Sequence, residues 1–160
     1  MSKTLILNKK ISKVVRPIPP YNFDPTVFKP SYYPDPLTIY EPGRYWFAIR
    51  LRDKIYGVKM EDKGSITQPK VLVNIFSKSP LSKSELKEII DELNFRFEFN
   101  RDISGFFEKF KGDRILSPFI KRWYGMHKSC PQSLYGSLMI GIFLQNTIVK
   151  RSVQMTKNML

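Results

Sequence analysis

The sequence predicts an α+β protein, a small antiparallel sheet with a helix against it, followed by a purely helical segment. Three observations carry this. In residues 44–52, "RYWFAIRLR", Tyr45, Phe47, Ile49 and Leu51 alternate with Trp46, Ala48 and arginines; a period of two marks a strand with one apolar face. In residues 83–97 the apolar residues Leu86, Ile89, Ile90, Leu93 and Phe97 recur at three- and four-residue steps, the period of an amphipathic helix. Beyond "EFNRD", near residues 98–103, every remaining pattern is helical.

Taken in chain order, residues 4–7 are a short strand candidate. Prolines at 17, 19, 20, 25, 30, 34, 36 and 42 then exclude long helices and central strands. Tyr21, Phe23, Phe28, Tyr32 and Tyr33 lie among them, so this stretch reads as extended chain wrapping a core, because linkers are poor in aromatics. The strand at 44–52 is followed after only Asp53 by a second at 54–60, which implies a tight hairpin. Residues 61–65 read as a turn, and 69–77, rich in β-branched residues, as another strand. Three or four antiparallel strands are expected. Ser82 and Glu85 have capping-box spacing, so the helix over 83–97 begins there. Shorter helices are expected over 104–111 and 116–124, each ending near a glycine, Gly112 or Gly125. Ser129 with Gln132 makes a second capping box, and Pro131 sits in the first turn of a helix over 131–144. That helix is apolar nearly all round and is expected to be a buried core helix, with Gly136 and Gly141 allowing neighbours close. It is apolar on too many sides for residues 1–160 to cover, so a sizeable apolar surface is expected to stay exposed. Polar Gln145, Asn146 and Thr147 end it, and the cations Lys150 and Arg151 follow.

Composition narrows the function classes. Lys and Arg outnumber Asp and Glu 27 to 14, which favours a polyanionic partner, nucleic acid before an anionic membrane. No acidic residue follows Asp113, whereas Arg114, Lys121, Arg122, Lys128, Lys150, Arg151 and Lys157 do, so the positive field belongs mainly to the last third. Cys130 and His127 are the only residues of their kinds; no intrachain disulfide, cysteine cluster or structural zinc can be built from them. For both, packing and a helix start outweigh a nucleophilic pair, which would need a third group to orient it. No metal or cofactor is expected. The N-terminus lacks a signal peptide's apolar run and no stretch is long enough to span a membrane, so the expected location is cytoplasmic.

Residues 101–153, "RDISGFFEKFKGDRILSPFIKRWYGMHKSCPQSLYGSLMIGIFLQNTIVKRSV", resemble the entry to the helical domain of helix-hairpin-helix DNA glycosylases. The resemblance is to the DNA-3-methyladenine glycosylase II-like branch. It is carried by the acidic-aromatic short helix ending in "KGD", by "RWYG" before a loop, and by the Pro-opened apolar helix ending in a Gln-Asn turn. It implies that residues 1–98 form an N-terminal α+β domain like half of a TATA-binding protein, and that 99–160 begin the helical glycosylase domain, left incomplete. It further implies that the turn enters the minor groove and fills the gap left by a flipped nucleotide. Gln145, Asn146 and Thr147 are then the DNA-binding turn, with Asn146 the filling residue, and Lys150 and Arg151 neutralise phosphates on the next helix. Phe28 is the candidate wall of a base pocket, by cation–π attraction to a cationic base; its alternative is to anchor the wrap on the sheet.

The family's Gly-rich hairpin and essential Asp lie downstream of the matched region, and residues 154–160 contain neither. Asp102 and Asp113 fall at other positions and are expected to be caps or turn residues. No catalytic residue is therefore assigned in this chain. The function implied is the N-terminal portion of a base-excision glycosylase for alkylated or oxidised bases. Its partners would be double-stranded DNA and a C-terminal half of the same enzyme, not a membrane. The competing reading is a non-catalytic basic DNA-binding or interaction module.

Overall fold

The computed structural model describes residues 5–28, 38–130, 134–145 and 147–159. Five strands, β1 (Lys9–Val15), β2 (Ile39–Glu41), β3 (Arg44–Leu51), β4 (Lys54–Asp62) and β5 (Val71–Ser77), form one antiparallel sheet in the order β1-β5-β4-β3-β2. The described helices are α1 (Phe23–Val27), α2 (Lys83–Phe97), α3 (Ser104–Phe110), α4 (Ser117–Arg122), α5 (Leu134–Leu144) and α6 (Val149–Met159). The class is α+β, with the sheet first and the helical run after it.

The period-two reading of β3 fixes the core. Tyr45, Phe47 and Ile49 are buried, and the register places them beside Met60, Val58 and Tyr56 of β4. Val71, Val73 and Ile75 of β5 continue the same face, and Ile89, Leu93 and Phe97 of α2 cover it. Each of these three α2 side chains is fully buried, worth roughly 1.5–3 kcal/mol apiece. The capping box at the start of α2 is formed: Glu85 N–H donates to Ser82 Oγ, and Ser82 N–H to the Glu85 carboxylate. The other sheet face is polar. Ser12 Oγ donates to Asn74 Oδ1 at 2.7 Å, Lys59 pairs with Glu61 at 2.8 Å, and the Lys59 ammonium lies 5.2 Å from the Trp46 ring.

Several expectations are corrected. Leu5–Leu7 are not a strand; the first strand is β1, a lysine-rich edge whose Ile11 and Val15 alone reach the core. Its charge hid it, and an edge strand tolerates charge because one side of it faces water. The sheet has five strands because β2 adds a second edge, joined to β3 by a Pro42-Gly43 turn with Gly43 at φ +73°. The β3–β4 hairpin has two turn residues, Arg52 at φ +53° and Asp53, since Leu51 already faces Lys54. β4 runs on to Asp62, so the following turn starts later than residue 61. The Pro-rich wrap is interrupted by α1, with Pro25 in its first turn where no helical N–H is lost. Thr4, residues 29–37 (Tyr32 and Tyr33 among them), Pro131 and Gln132 lie outside the described residues. Ser129 Oγ donates to Thr26 O at 2.5 Å, and the capping box expected of it with Gln132 falls on residues outside those described. Cys130 is exposed rather than packed.

The larger correction concerns α5. Leu138 and Ile142 are 58% and 57% exposed, and a Cβ on Gly141 would meet nothing within 4 Å. Apolar sequence here means a surface that the described residues leave open.

Candidate nucleic-acid interface

Helices α5 and α6 form a helical hairpin. Gln145 N–H donates to Ile142 O at 3.1 Å, closing the end of α5 with a tighter turn than the α-helix itself. Gln145 is exposed and Thr147 half-buried; Asn146 lies outside the described residues. α6 then starts at Val149, with Arg151 and Ser152 N–H groups both donating to Ile148 O. The hairpin is tied by Ser152, which is fully buried and whose hydroxyl lies 2.8 Å from Phe143 O and 3.2 Å from Ile148 O. Sequence reading missed Ser152. Its only signal was a small hydroxyl one turn into a helix, which is as often a solvent-facing residue.

Lys150 and Arg151 are exposed in the first turn of α6, which contains no acidic residue. This position is physically unfavourable. The helix N-terminus carries a partial positive charge, and each cation there costs roughly 0.3–1 kcal/mol. An anion placed at the same spot meets both the side chains and the dipole.

Phe28 is carried by different elements. It follows α1, is 40% exposed, and stacks on Tyr40 of β2 with ring centroids 4.3 Å apart and planes 5° from parallel. Burial raises the Tyr40 pKa, helped by the charge of Asp24 and a hydrogen bond to it, and Asp24 Oδ1 accepts the Gly43 N–H at 2.7 Å. Phe28 thus packs on the sheet edge through Tyr40, while part of its ring remains open to solvent. Tyr45 is core, and Trp46 a half-buried residue of the polar sheet face.

The "RWYG" motif has a structural use. Gly125 adopts φ +77°, and an added Cβ would lie 2.9 Å from Ile66 Cγ2 and 3.0 Å from Asn22 N. Its carbonyl accepts the Asn22 N–H at 2.7 Å, and the Asn22 side chain donates to Tyr124 O at 3.2 Å. His127 lies beside it, buried, with its N–H on Thr26 Oγ1 and Nε2 3.0 Å from Pro20 O. Burial lowers the His127 pKa, against the opposing pull of the Pro20 carbonyl and of Glu98, whose Oε2 is 3.8 Å from Nδ1. This joint holds the helical segment on the N-terminal wrap. Asp102 and Asp113 are turn residues: Asp102 Oδ1 accepts the Ser104 N–H, and Asp113 Oδ1 those of Ile115 and Leu116. Among the described residues no three His, Cys, Asp or Glu side chains gather where they could hold a metal ion, and no helix is long and apolar enough to cross a membrane.

No protein-family model matches the chain, and no curated protein matches it. Among solved structures it matches the 3-methyladenine DNA-glycosylase from Archaeoglobus fulgidus, with a TM-score of 0.69 and 15% identity. The chain has a DNA-glycosylase-like fold. The match covers 90% of this chain and 48% of that one, so the chain spans about half of its neighbour's length. At this identity the likeness is one of fold.

Proposed function

We propose that the chain is the N-terminal portion of a base-excision DNA glycosylase of the helix-hairpin-helix superfamily, in the 3-methyladenine glycosylase II-like branch. The observation that carries this is the fold match over nine-tenths of the chain to a protein named as a 3-methyladenine DNA-glycosylase. Residues 1–98 act as the N-terminal α+β domain, related in layout to half of a TATA-binding protein, and 99–160 as the start of the helical domain. Duplex DNA is the partner. Gln145, Asn146 and Thr147 form the turn that enters the groove, and Lys150 with Arg151 hold phosphates. The exposed cations at a helix N-terminus support this, because that placement is costly without an anion to meet it. Phe28 lines the base pocket with its open face. The groups that break the glycosidic bond belong to the half of the fold that this chain does not span. Alkylated or oxidised bases are the substrates, and the cytoplasm the place of action.

The test is binding and chemistry measured on the same sample. The 160-residue protein should bind duplex DNA with a steep salt dependence and prefer a duplex carrying an abasic-site analogue, since an already empty stack removes the cost of flipping. It should release no free base from alkylated or oxidised duplex. Absence of duplex binding at low salt would remove the DNA reading. Base release by the pure chain would overturn the assignment of the chemistry to other residues.

A further inference from the structure

Gln145 and Thr147 stand in the link between α5 and α6, and Lys150 and Arg151 stand on α6 itself. A duplex can meet both pairs at once only if the angle between the two helices is fixed. One hydroxyl is placed to fix it. Phe143 is the last residue but one of α5, so its carbonyl is among those at a helix end that find no partner within the helix. Ser152 Oγ of α6 donates to it at 2.8 Å. The same oxygen lies 3.2 Å from Ile148 O, the carbonyl that also accepts the Arg151 and Ser152 N–H groups and so closes the first turn of α6. A single side chain thus touches the backbone just before the link and at its far end. Ser152 is fully buried, and low local dielectric strengthens a hydrogen bond made there. Successive helical residues point about 100° apart, so with Ser152 turned toward α5 the two residues before it are turned away, and Lys150 and Arg151 are both exposed. The inward hydroxyl therefore sets where the outward cations stand relative to Gln145 and Thr147. We propose that Ser152 is a positioning residue of the nucleic-acid interface: its hydroxyl touches no DNA, and it holds the turn and the phosphate-binding cations at the spacing a duplex requires. The inference rests on the DNA reading of this hairpin. A serine that served stability alone would be buried in the same way. The two roles differ in coupling, because a positioning residue acts on binding through Lys150 and Arg151 and loses its effect when they are gone.

The test is a double-mutant cycle on the full 160-residue protein, read by fluorescence anisotropy with a duplex carrying an abasic-site analogue at one low salt concentration. Ser152→Ala should weaken binding about fivefold, the population weight of one net hydrogen bond, while circular dichroism shows the chain as fully folded as the native one. In the background of Lys150→Ala with Arg151→Ala, the same substitution should change affinity less than about twofold. Ser152→Thr keeps the hydroxyl and should bind within about twofold of the native protein. Equal losses in the two backgrounds, a threonine variant as weak as the alanine one, or an alanine variant that no longer folds would each assign the hydroxyl to stability alone and overturn the proposal. Native affinity in Ser152→Ala would overturn it too, and would leave the DNA reading standing. Absence of duplex binding by the native chain would instead remove the DNA reading, and this inference with it.

Discussion

Lys150→Ala with Arg151→Ala separates a DNA contact from a structural role, because the two predict opposite signs. If each cation neutralises one phosphate, its loss lowers the slope of log affinity against log salt by roughly 0.9 units, about 1.8 for the pair. Between 50 and 200 mM salt the native protein should then lose roughly twelvefold more affinity than the double variant. Folding stability should move the other way. Both side chains are exposed in the first turn of α6, with no acid beside them, and removing two charges from the positive end of a helix relieves roughly 0.6–2 kcal/mol at low ionic strength. Fluorescence anisotropy over a salt series gives the slope, and urea denaturation in the same low-salt buffer gives the stability. An unchanged slope would refute the phosphate assignment. Weaker binding accompanied by lower stability would show that the variant fails by unfolding α6, and the dipole argument would fall with it.

Three further outcomes are expected. Gly125→Ala should destabilise by roughly 3 kcal/mol, from a positive φ, contact with Ile66 and Asn22, and weakening of the 2.7 Å bond to Asn22; denaturation midpoints check it, and a change under 0.5 kcal/mol would contradict the packing. For His127, burial holds the folded pKa below the ordinary 6.5, so its neutral form contributes stability that is complete above that value. The contribution is lost as pH falls through 6.5 toward the folded pKa; as the only histidine in the chain, its NMR titration reads this directly, and a pKa above 6.5 would reverse the sign. In an enzyme with the second half restored, Asn146→Ala should slow excision from a paired lesion and spare a lesion in single-stranded DNA, where no stack has to be filled; equal losses on both would end the wedge assignment.

What was legible in the sequence had a local physical cause. The α2 boundaries, Lys83–Phe97, follow from a capping box and an unbroken apolar period, and the inner face of β3 follows from strict alternation. β1 was not legible, because "KKISKVV" carries three lysines and only two residues that reach the core. α1 and β2 were hidden by the prolines that punctuate them, and both are too short to show a period. For α5 the expected core burial is not found, while the expected exposed apolar surface is present at Leu138 and Ile142. An apolar helix states that it will be covered, and not by which chain. Of the candidate site, Gln145, Thr147, Lys150 and Arg151 fall together on one helical hairpin, but Ser152, which ties that hairpin, gives no pattern in sequence. The joint made by Asn22, Thr26, Gly125 and His127 joins residues about a hundred positions apart, and single-sequence periodicity contains nothing about such pairs.

That joint matters for function because of where the core is. The sheet, α2, the Tyr21–Val27 stretch and Phe99 together hold sixteen of the eighteen buried apolar side chains found among the described residues. Among the described residues beyond Phe99, only Phe107 and Ile120 are buried apolar side chains. Directed contacts that attach the helical segment include Asn22 N–H to Gly125 O, the Asn22 amide to Tyr124 O, His127 N–H to Thr26 Oγ1, His127 Nε2 at Pro20 O, Ser129 Oγ to Thr26 O, and Cys130 N–H to Arg96 O. Each such bond contributes only about 1 kcal/mol net, and they lie near the start of the segment that leads to α5 and α6. The consequence is a division of labour between stability and position. A substitution in the sheet core should change how much protein is folded and leave the salt slope of DNA binding alone, whereas one at Gly125 or Thr26 should loosen the presentation of Lys150 and Arg151 in molecules whose sheet is intact. The short Gly-containing motif before the loop, which reads in sequence as a helix stop, is thus an element on which the placement of the proposed nucleic-acid surface depends.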